Sequence, residues 1–417
     1  MSARGSAWQI GDWVMRKTLW WIGGLGAVII AVLVYLVLTG ERGLGLRTAA
    51  GPARTLDVTR LDDEQTTAFG WDPRRLDAVF NHAATLSSDT LVIVTRGKTI
   101  AAFGDLEKPH ATHSIRKALL SAVVGRHIGI GANQIRLDAT LQDLGIDDGP
   151  ERLGQLQRQA TVRHLLKSTS GINHPAAADG GLRAEIDRRL GQGENQPGTI
   201  WAYNNWDYNA LTTILETRTG LGIAEAFRDA IAVPIGMQDF SVDAVSYLQS
   251  PRRSQHKAAS FRLSARDLAA FGQLYLVKGQ ANGRQVLPES WVERITSDHT
   301  KTGRDDLRWA HGYLWWLPAP GTGLPKGTYW AWGLGNQALF VVPPWQTVIV
   351  HQSDTSEFLK RFLPLIARGK SGETAIMELI LACREPANRK SEYCIEHRFT
   401  TRGEFARLMA LVVAARL

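Results

Sequence analysis

Ser114-Ile115-Arg116-Lys117 is the stretch on which the reading of this chain turns. It follows two β-rich runs and opens an apolar run in which Ala118, Leu119, Ala122 and Val123 recur at helix spacing. A serine and a lysine three apart on a helix lie one turn apart on the same face. A serine hydroxyl is a poor nucleophile until a base takes its proton. Lysine can be that base only where burial or neighbouring cations hold it uncharged. The Ser114 amide lies near a helix N-terminus, where backbone N–H groups favour a developing oxyanion. Two fixed positions are weak by themselves, and Ser254-Gln-His-Lys257 matches them too. Context separates the two: Ser254 lies in a polar, arginine-flanked stretch without apolar periodicity and reads as a solvated loop residue.

Outward from Ser114, the upstream runs Thr90–Thr95 and Thr99–Phe103 flank Arg96-Gly97-Lys98 and predict a hairpin. A helix is expected around Asp72–Leu86. Downstream the pattern is helical to about Asp239, including Ala160–Leu166 and Asn209–Thr217. Ser264-Ala-Arg-Asp267 is a Ser-x-x-Asp capping signal that opens a helix through Leu276. Strand patterns return at Tyr313–Leu317, Tyr329–Trp332, Gln337–Val342 and Thr347–His351, followed by a helix candidate at Glu357–Ala367. This order predicts one α/β domain, about 66–370, whose sheet is built from both ends of the segment, with a helical insertion at about 114–255. Residues 371–417 read as a C-terminal extension, whose apolar stretch Leu408–Ala415 is too short to span a membrane and predicts a packed helix.

Two more elements bear on chemistry. Tyr203-Asn204-Asn205 follows the loop signal Pro197-Gly198 and precedes a helix. A tyrosine beside a lysine can shuttle its proton, and an asparagine can hydrogen-bond both the lysine and a substrate amide. The neighbouring Trp201, Trp206 and Tyr208 read as core. Ala331-Trp332-Gly333-Leu334-Gly335-Asn336-Gln337 lies on or beside a strand, where glycines permit close approach of a ligand or another backbone. It reads either as a turn or as a sheet edge flanking a substrate, with the Leu334 N–H as a second oxyanion donor. His113 reads as a structural hydrogen-bonding residue. His164, His311 and His351 set no metal-ligand spacing, and no phosphate loop or Gly-x-Ser-x-Gly elbow is present. No metal or cofactor is expected.

These three elements, in this order, resemble the serine β-lactamase, penicillin-binding protein and esterase superfamily. Its nucleophile motif is Ser-x-x-Lys. Tyr-x-Asn is similar to the class C branch. Leu165-Leu-Lys-Ser-Thr-Ser-Gly171, Pro197-Gly-Thr199, Tyr203–Asn209, Pro234–Phe240, Ser264–Leu276 and Gly333–Gln337 are similar to the subgroup containing 6-aminohexanoate-dimer hydrolases and related esterases. The resemblance covers roughly residues 68–368. It implies an antiparallel sheet flanked by helices, with an inserted all-helical domain. It implies Ser114 as acylated nucleophile, Lys117 as base or proton relay, and Tyr203 as proton-transfer partner. Asn205 is implied as a lysine-orienting and substrate-binding amide, and Gly333 and Leu334 as the substrate and oxyanion edge. Lactamases and penicillin-binding proteins carry Lys-Thr-Gly or His-x-Gly in the third motif. Here Ala331-Trp332-Gly333 lacks that cation, which points to an esterase or amidase rather than a carboxylate-binding wall enzyme. The alternatives are a D-amino-acid peptidase or β-lactam-interacting enzyme, and a non-catalytic binding protein on the same fold. In the subgroup's Gly-x-Gly-Gly-Gln, Asn336 stands in place of a glycine.

Ahead of this domain, Leu19–Leu38 carries no charge and no proline, and is long enough for the ~30 Å of a bilayer core. Trp20, Trp21 and Tyr35 sit near its ends. It predicts an uncleaved signal anchor over 18–39, after a tail of 1–17 and before a linker of 40–65. A cleaved signal peptide and a buried helix are the alternatives. Basic residues are nearly balanced on its two sides. The family resemblance therefore carries the expectation of a single-pass inner-membrane protein with its catalytic domain outside the cytoplasm. Cys383 and Cys394 form either a bridge or two free thiols, and two cysteines exclude a disulfide-dense scaffold. With 48 basic against 40 acidic residues and no basic block, nucleic acid is not an expected partner. A small ester, amide or peptide is.

Overall fold

The computed structural model describes residues 56–129, 134–149, 151–179, 182–356, 400 and 402–417. The predicted membrane span, Glu357–Ala367, Cys383 and Cys394 lie outside them. Among the described residues no helix is long and apolar enough to cross a membrane.

A nine-stranded sheet is formed by β1 (Val58–Arg60), β2 (Thr90–Thr95), β3 (Lys98–Phe103) and, from the far end of the chain, six further strands. Three strands of a smaller sheet come between them in sequence and are named below. β2 and β3 form the predicted hairpin around Gly97, whose φ of 76° suits glycine. All neighbouring strands are antiparallel. Alternation sorts the side chains. Val92 and Val94 face one core with the nucleophile helix, while Leu91 and Ile93 face the other. β1 is an edge strand pairing Val58 with Phe103, inside the stretch read as linker. Three residues are too few to show periodicity.

Each face of the sheet is covered by helices. On one side α1 (Pro73–Ala83), capped by the Asp72 carboxylate, packs with the C-terminal helix Arg402–Ala415. Phe405, Leu408, Met409 and Val412 meet Leu76, Val79 and Phe80 there. The extension thus supplies a layer of the α/β domain. On the other side lie α2 (Arg116–Arg126), α3 (Asn205–Thr219) and α4 (Ala265–Leu276). α4 is capped as predicted by Ser264, which accepts the Asp267 N–H. The Asp267 carboxylate does not close the box: it accepts instead from the Gln238 and Asp239 amides.

The insertion is not wholly helical. β4 (His110–Ala111), β5 (Val245–Ser250) and β6 (Ser254–Leu263) form a three-stranded sheet in the order β4-β6-β5. This corrects the reading of Ser254. It begins β6, is 2% exposed, and donates to Asp148 Oδ1 at 2.9 Å. Its polar neighbours misled because the carboxylate that buries it lies 106 residues upstream.

The remaining strands of the large sheet are β7 (Thr300–Lys301), β8 (Ala310–Gly312), β9 (Trp315–Leu317), β10 (Tyr329–Gly333), β11 (Gln337–Val342) and β12 (Thr347–Gln352). The full order is β1-β3-β2-β12-β11-β10-β9-β8-β7. The end of β10 borders the turn that carries Ser114.

Candidate active site

Ser114 sits in a single 3-10 turn, His113–Ile115, immediately before α2. His113 takes φ 47°, and its Nε2 meets Thr355 Oγ1 at 2.7 Å, so the histidine anchors the turn. Lys117 Nζ donates to Ser114 Oγ at 2.8 Å. The Tyr203 phenol lies near enough to the same serine for Ser114 to act on its ionisation. Lys117 Nζ also lies over two rings, 4.8 Å from the Tyr203 centroid and 4.9 Å from that of Tyr208.

Burial, then the Arg116 charge, hold Lys117 well below the ordinary lysine range, with Asp179 opposing. Burial pushes Tyr203 up to about 12, with Ser114 and the Arg116 charge opposing. The lysine is therefore the group whose neutral, basic form its surroundings favour, and the tyrosine remains a neutral phenol.

Tyr203 is placed by the start of α3. Asn204 caps that helix: its Oδ1 accepts the Trp206 N–H at 3.0 Å, and its Nδ2 donates to Ile172 O at 2.7 Å. The cap leaves Tyr203 outside the helix and Asn205 inside it. Asn205 does not reach Lys117. Its Oδ1 accepts from Arg116 Nη2 at 3.4 Å and its Nδ2 donates to Ala178 O at 2.6 Å. This corrects the expected lysine-orienting contact: a second cation, absent from the expectation, takes the amide oxygen.

The third element closes the opposite wall. A β-carbon built on Gly333 would lie 2.5 Å from the Thr112 carbonyl and 3.2 Å from His113 Cβ. β10 can thus touch the nucleophile turn only with glycine there. Beyond it, Gly335 (φ 75°) and Asn336 (φ 58°) turn the chain, so asparagine keeps the left-handed turn, as it does more readily than most residues. Asn336 Oδ1 accepts from Trp332 Nε1 at 3.2 Å, and its carbonyl meets His351 Nδ1 at 2.8 Å. His351 Nε2 in turn bonds Ser88 Oγ at 2.7 Å. Gly333→Ala is expected to shift the turn and cut kcat/KM by about 100-fold, the scale of an ångström misplacement. Ester-hydrolysis kinetics on the folded variant check this.

Several residues of the site were not singled out by sequence reasoning. Tyr208 is core by burial, but its hydroxyl bonds Ser168 Oγ at 2.7 Å, which also meets His311 Nδ1 at 3.3 Å. His311, Trp316 and Tyr203 pack together, with Trp316 stacked on Tyr203 at 5.2 Å. Asp179 is buried, its Oδ2 accepting the Ala176 N–H and its Oδ1 without a partner among the described residues. Arg116 had a visible signal: a charge inside an otherwise apolar helical run. Among the described residues no group of acids, histidines and cysteines is arranged to hold a metal ion.

The chain belongs to the β-lactamase family, whose family model matches residues 76–362. An uncharacterised protein from Alkalihalophilus pseudofirmus is 25% identical over 245 residues, 54% of this chain and 69% of that one. The fold is similar to that of a Bacillus anthracis protein assigned as a 6-aminohexanoate-dimer hydrolase, at TM-score 0.51 and 20% identity, covering 84% of this chain and 94% of the other. It is also similar to EstCE1, a hydrolase with promiscuous acyltransferase activity, at TM-score 0.50 and 16% identity, covering 70% and 94%. The β-lactamase fold and family define a hydrolase class.

Proposed function

We propose that this chain is a serine hydrolase that cleaves esters or amides through an acyl-Ser114 intermediate. The observation that carries the reading is the Lys117–Ser114 contact of 2.8 Å made by a lysine that burial and Arg116 keep below its ordinary range. Ser114 Oγ attacks the substrate carbonyl carbon as Lys117 Nζ takes its proton. The carbonyl oxygen becomes an oxyanion, facing the Ser114 and Leu334 backbone N–H groups. Collapse breaks the bond to the leaving group, which receives the proton from Lys117 by way of the Tyr203 hydroxyl. Water then attacks the acyl-enzyme, gives its proton back along the same route, and releases the acid and free Ser114.

Ala331, where lactamases and penicillin-binding proteins carry a cation, supports a substrate with an uncharged end. One observation favours the wall-enzyme alternative. Arg308 lies over the Trp332 ring, 5.5 Å from its centroid. That guanidinium is already paired with the Asp306 carboxylate, which leaves the ester or amide reading ahead. We also place the domain outside the cytoplasm, anchored in the inner membrane by residues 18–39. The support is the uncharged Leu19–Leu38 run.

Short-chain p-nitrophenyl esters test the reading. Release of p-nitrophenol, absent from Ser114→Ala, is the expected result. Equal hydrolysis by the folded Ser114→Ala variant would overturn it. Covalent labelling by a fluorescent penicillin without ester turnover would favour the wall-enzyme alternative.

A further inference from the structure

Arg116 stands between the nucleophile and its base and is 6% exposed. Its Nη2 donates to Asn209 Oδ1 at 3.1 Å and to Asn205 Oδ1 at 3.4 Å. Both amides are oriented by the loop beyond them: Asn209 Nδ2 donates to Ala177 O at 3.1 Å and Asn205 Nδ2 to Ala178 O at 2.6 Å. Among the described residues no carboxylate pairs with the guanidinium; only the phenols of Tyr203 and Tyr208 favour its charge. Amide oxygens solvate a cation but do not cancel it. A buried charge without a counter-ion is costly to fold around, and this one is adjacent in sequence to the catalytic lysine.

We infer that Arg116 is a positioning residue: its buried, carboxylate-free charge adds to burial in favouring the uncharged form of Lys117 that can accept the Ser114 proton. The inference rests on the serine-hydrolase reading above. The groups facing Lys117 from each packed element agree with it. His113, from the same turn, is held at about 4, chiefly by burial. His311, from β8, is held at about 3, again chiefly by burial. Tyr203 and Tyr208, at the start of α3, are pushed up by burial and are neutral. Asp179, from the loop, opposes Arg116, but burial raises its own carboxyl and weakens that opposition. Arg116 is therefore the fixed charge in the group. The same Asn205–Asn209 bridge ties the 177–179 loop to the nucleophile helix.

The test is the pH profile of kcat/KM on p-nitrophenyl acetate, a neutral substrate whose binding is blind to a lost charge. Activity needs neutral Lys117, so it falls away on the acid side. Removing the Arg116 charge makes lysine easier to protonate, which moves that acid limb to higher pH. Arg116→Gln is expected to raise it by about one pH unit, and Arg116→Lys, which keeps the charge, to leave it within a few tenths. Asn209→Asp, which keeps the arginine and sets a carboxylate against it, is expected to move the limb the same way. It decides the matter if Arg116→Gln does not fold. An unmoved limb in either folded variant overturns the inference. Ser114→Ala, run alongside, separates the two claims. If it is inactive while the limbs stay put, the hydrolase reading survives and the role of Arg116 does not. If it is active, the reading itself fails.

Discussion

Lys117→Met is expected to cut kcat/KM on a p-nitrophenyl ester by about 10²–10⁴-fold, the usual contribution of a positioned general base. Methionine matches the lysine stem in length and suits the apolar surroundings. What disappears is the amine 2.8 Å from Ser114 Oγ. Tyr203 does not substitute, because burial pushes its phenol up to about 12 and leaves it without basic form near neutrality. The same variant is expected to melt at the parent temperature or above it. Lys117 is 2% exposed and sits among Tyr203, Tyr208 and Arg116, so its amine is costly to bury and its removal relieves a strain that function requires. Kinetics and a thermal melt on one preparation check both halves. Activity within tenfold of the parent would sink the assignment of Lys117 as base.

Local patterns carried much of this structure into view from sequence. The β2–β3 hairpin, the Ser264 cap and the strand returns after residue 300 follow from alternation, turn residues and capping chemistry over a few neighbours. The Ser114, Lys117 and Tyr203 constellation was legible because order and spacing repeat a known motif set. What was not legible depends on partners far along the chain. Ser254 is buried by Asp148, and no window around Arg252 and Arg253 contains that fact. Asn205 turns to Arg116 rather than Lys117 because α3 presents Asn205 and Asn209, one helical turn apart, to the same guanidinium. Tyr208 looked like core by composition and is core by burial. Only its hydroxyl, on Ser168, joins it to the site. The Arg402–Ala415 helix seemed an appendage because its partner, α1, lies more than 300 residues away.

The same long-range logic makes Asp148→Ala the most destabilising single change expected here. This carboxylate is 5% exposed and joins four separated segments of the helical lobe. Its Oδ2 accepts from Trp206 Nε1 at 2.6 Å and meets His174 Nδ1 at 3.3 Å. Its Oδ1 accepts from Ser254 Oγ at 2.9 Å and from the Gln255 N–H at 3.0 Å. Truncation strands buried donors from α3, from β6 and from the loop that leads to Asp179. Removing one partner of a buried charged network costs about 3–5 kcal/mol, and urea unfolding at pH 7 should show a loss of that order. Asp148→Asn keeps one acceptor oxygen and should lose less. The difference from the parent has a pH signature. Burial alone would raise this carboxyl. The bonds from His174, Trp206, Gln255 and Ser254 outweigh burial and hold it below the ordinary aspartate value. A depressed carboxyl stabilises the fold fully above the unfolded pKa of about 3.9. It gives that stability up as pH falls through the lower folded value, because the unfolded chain takes the proton first. The gap between parent and Asp148→Ala should therefore be constant from pH 7 to 5 and narrow below 4. A gap that stayed constant into acid would mean that packing around the side chain, and not its charge, holds the lobe together.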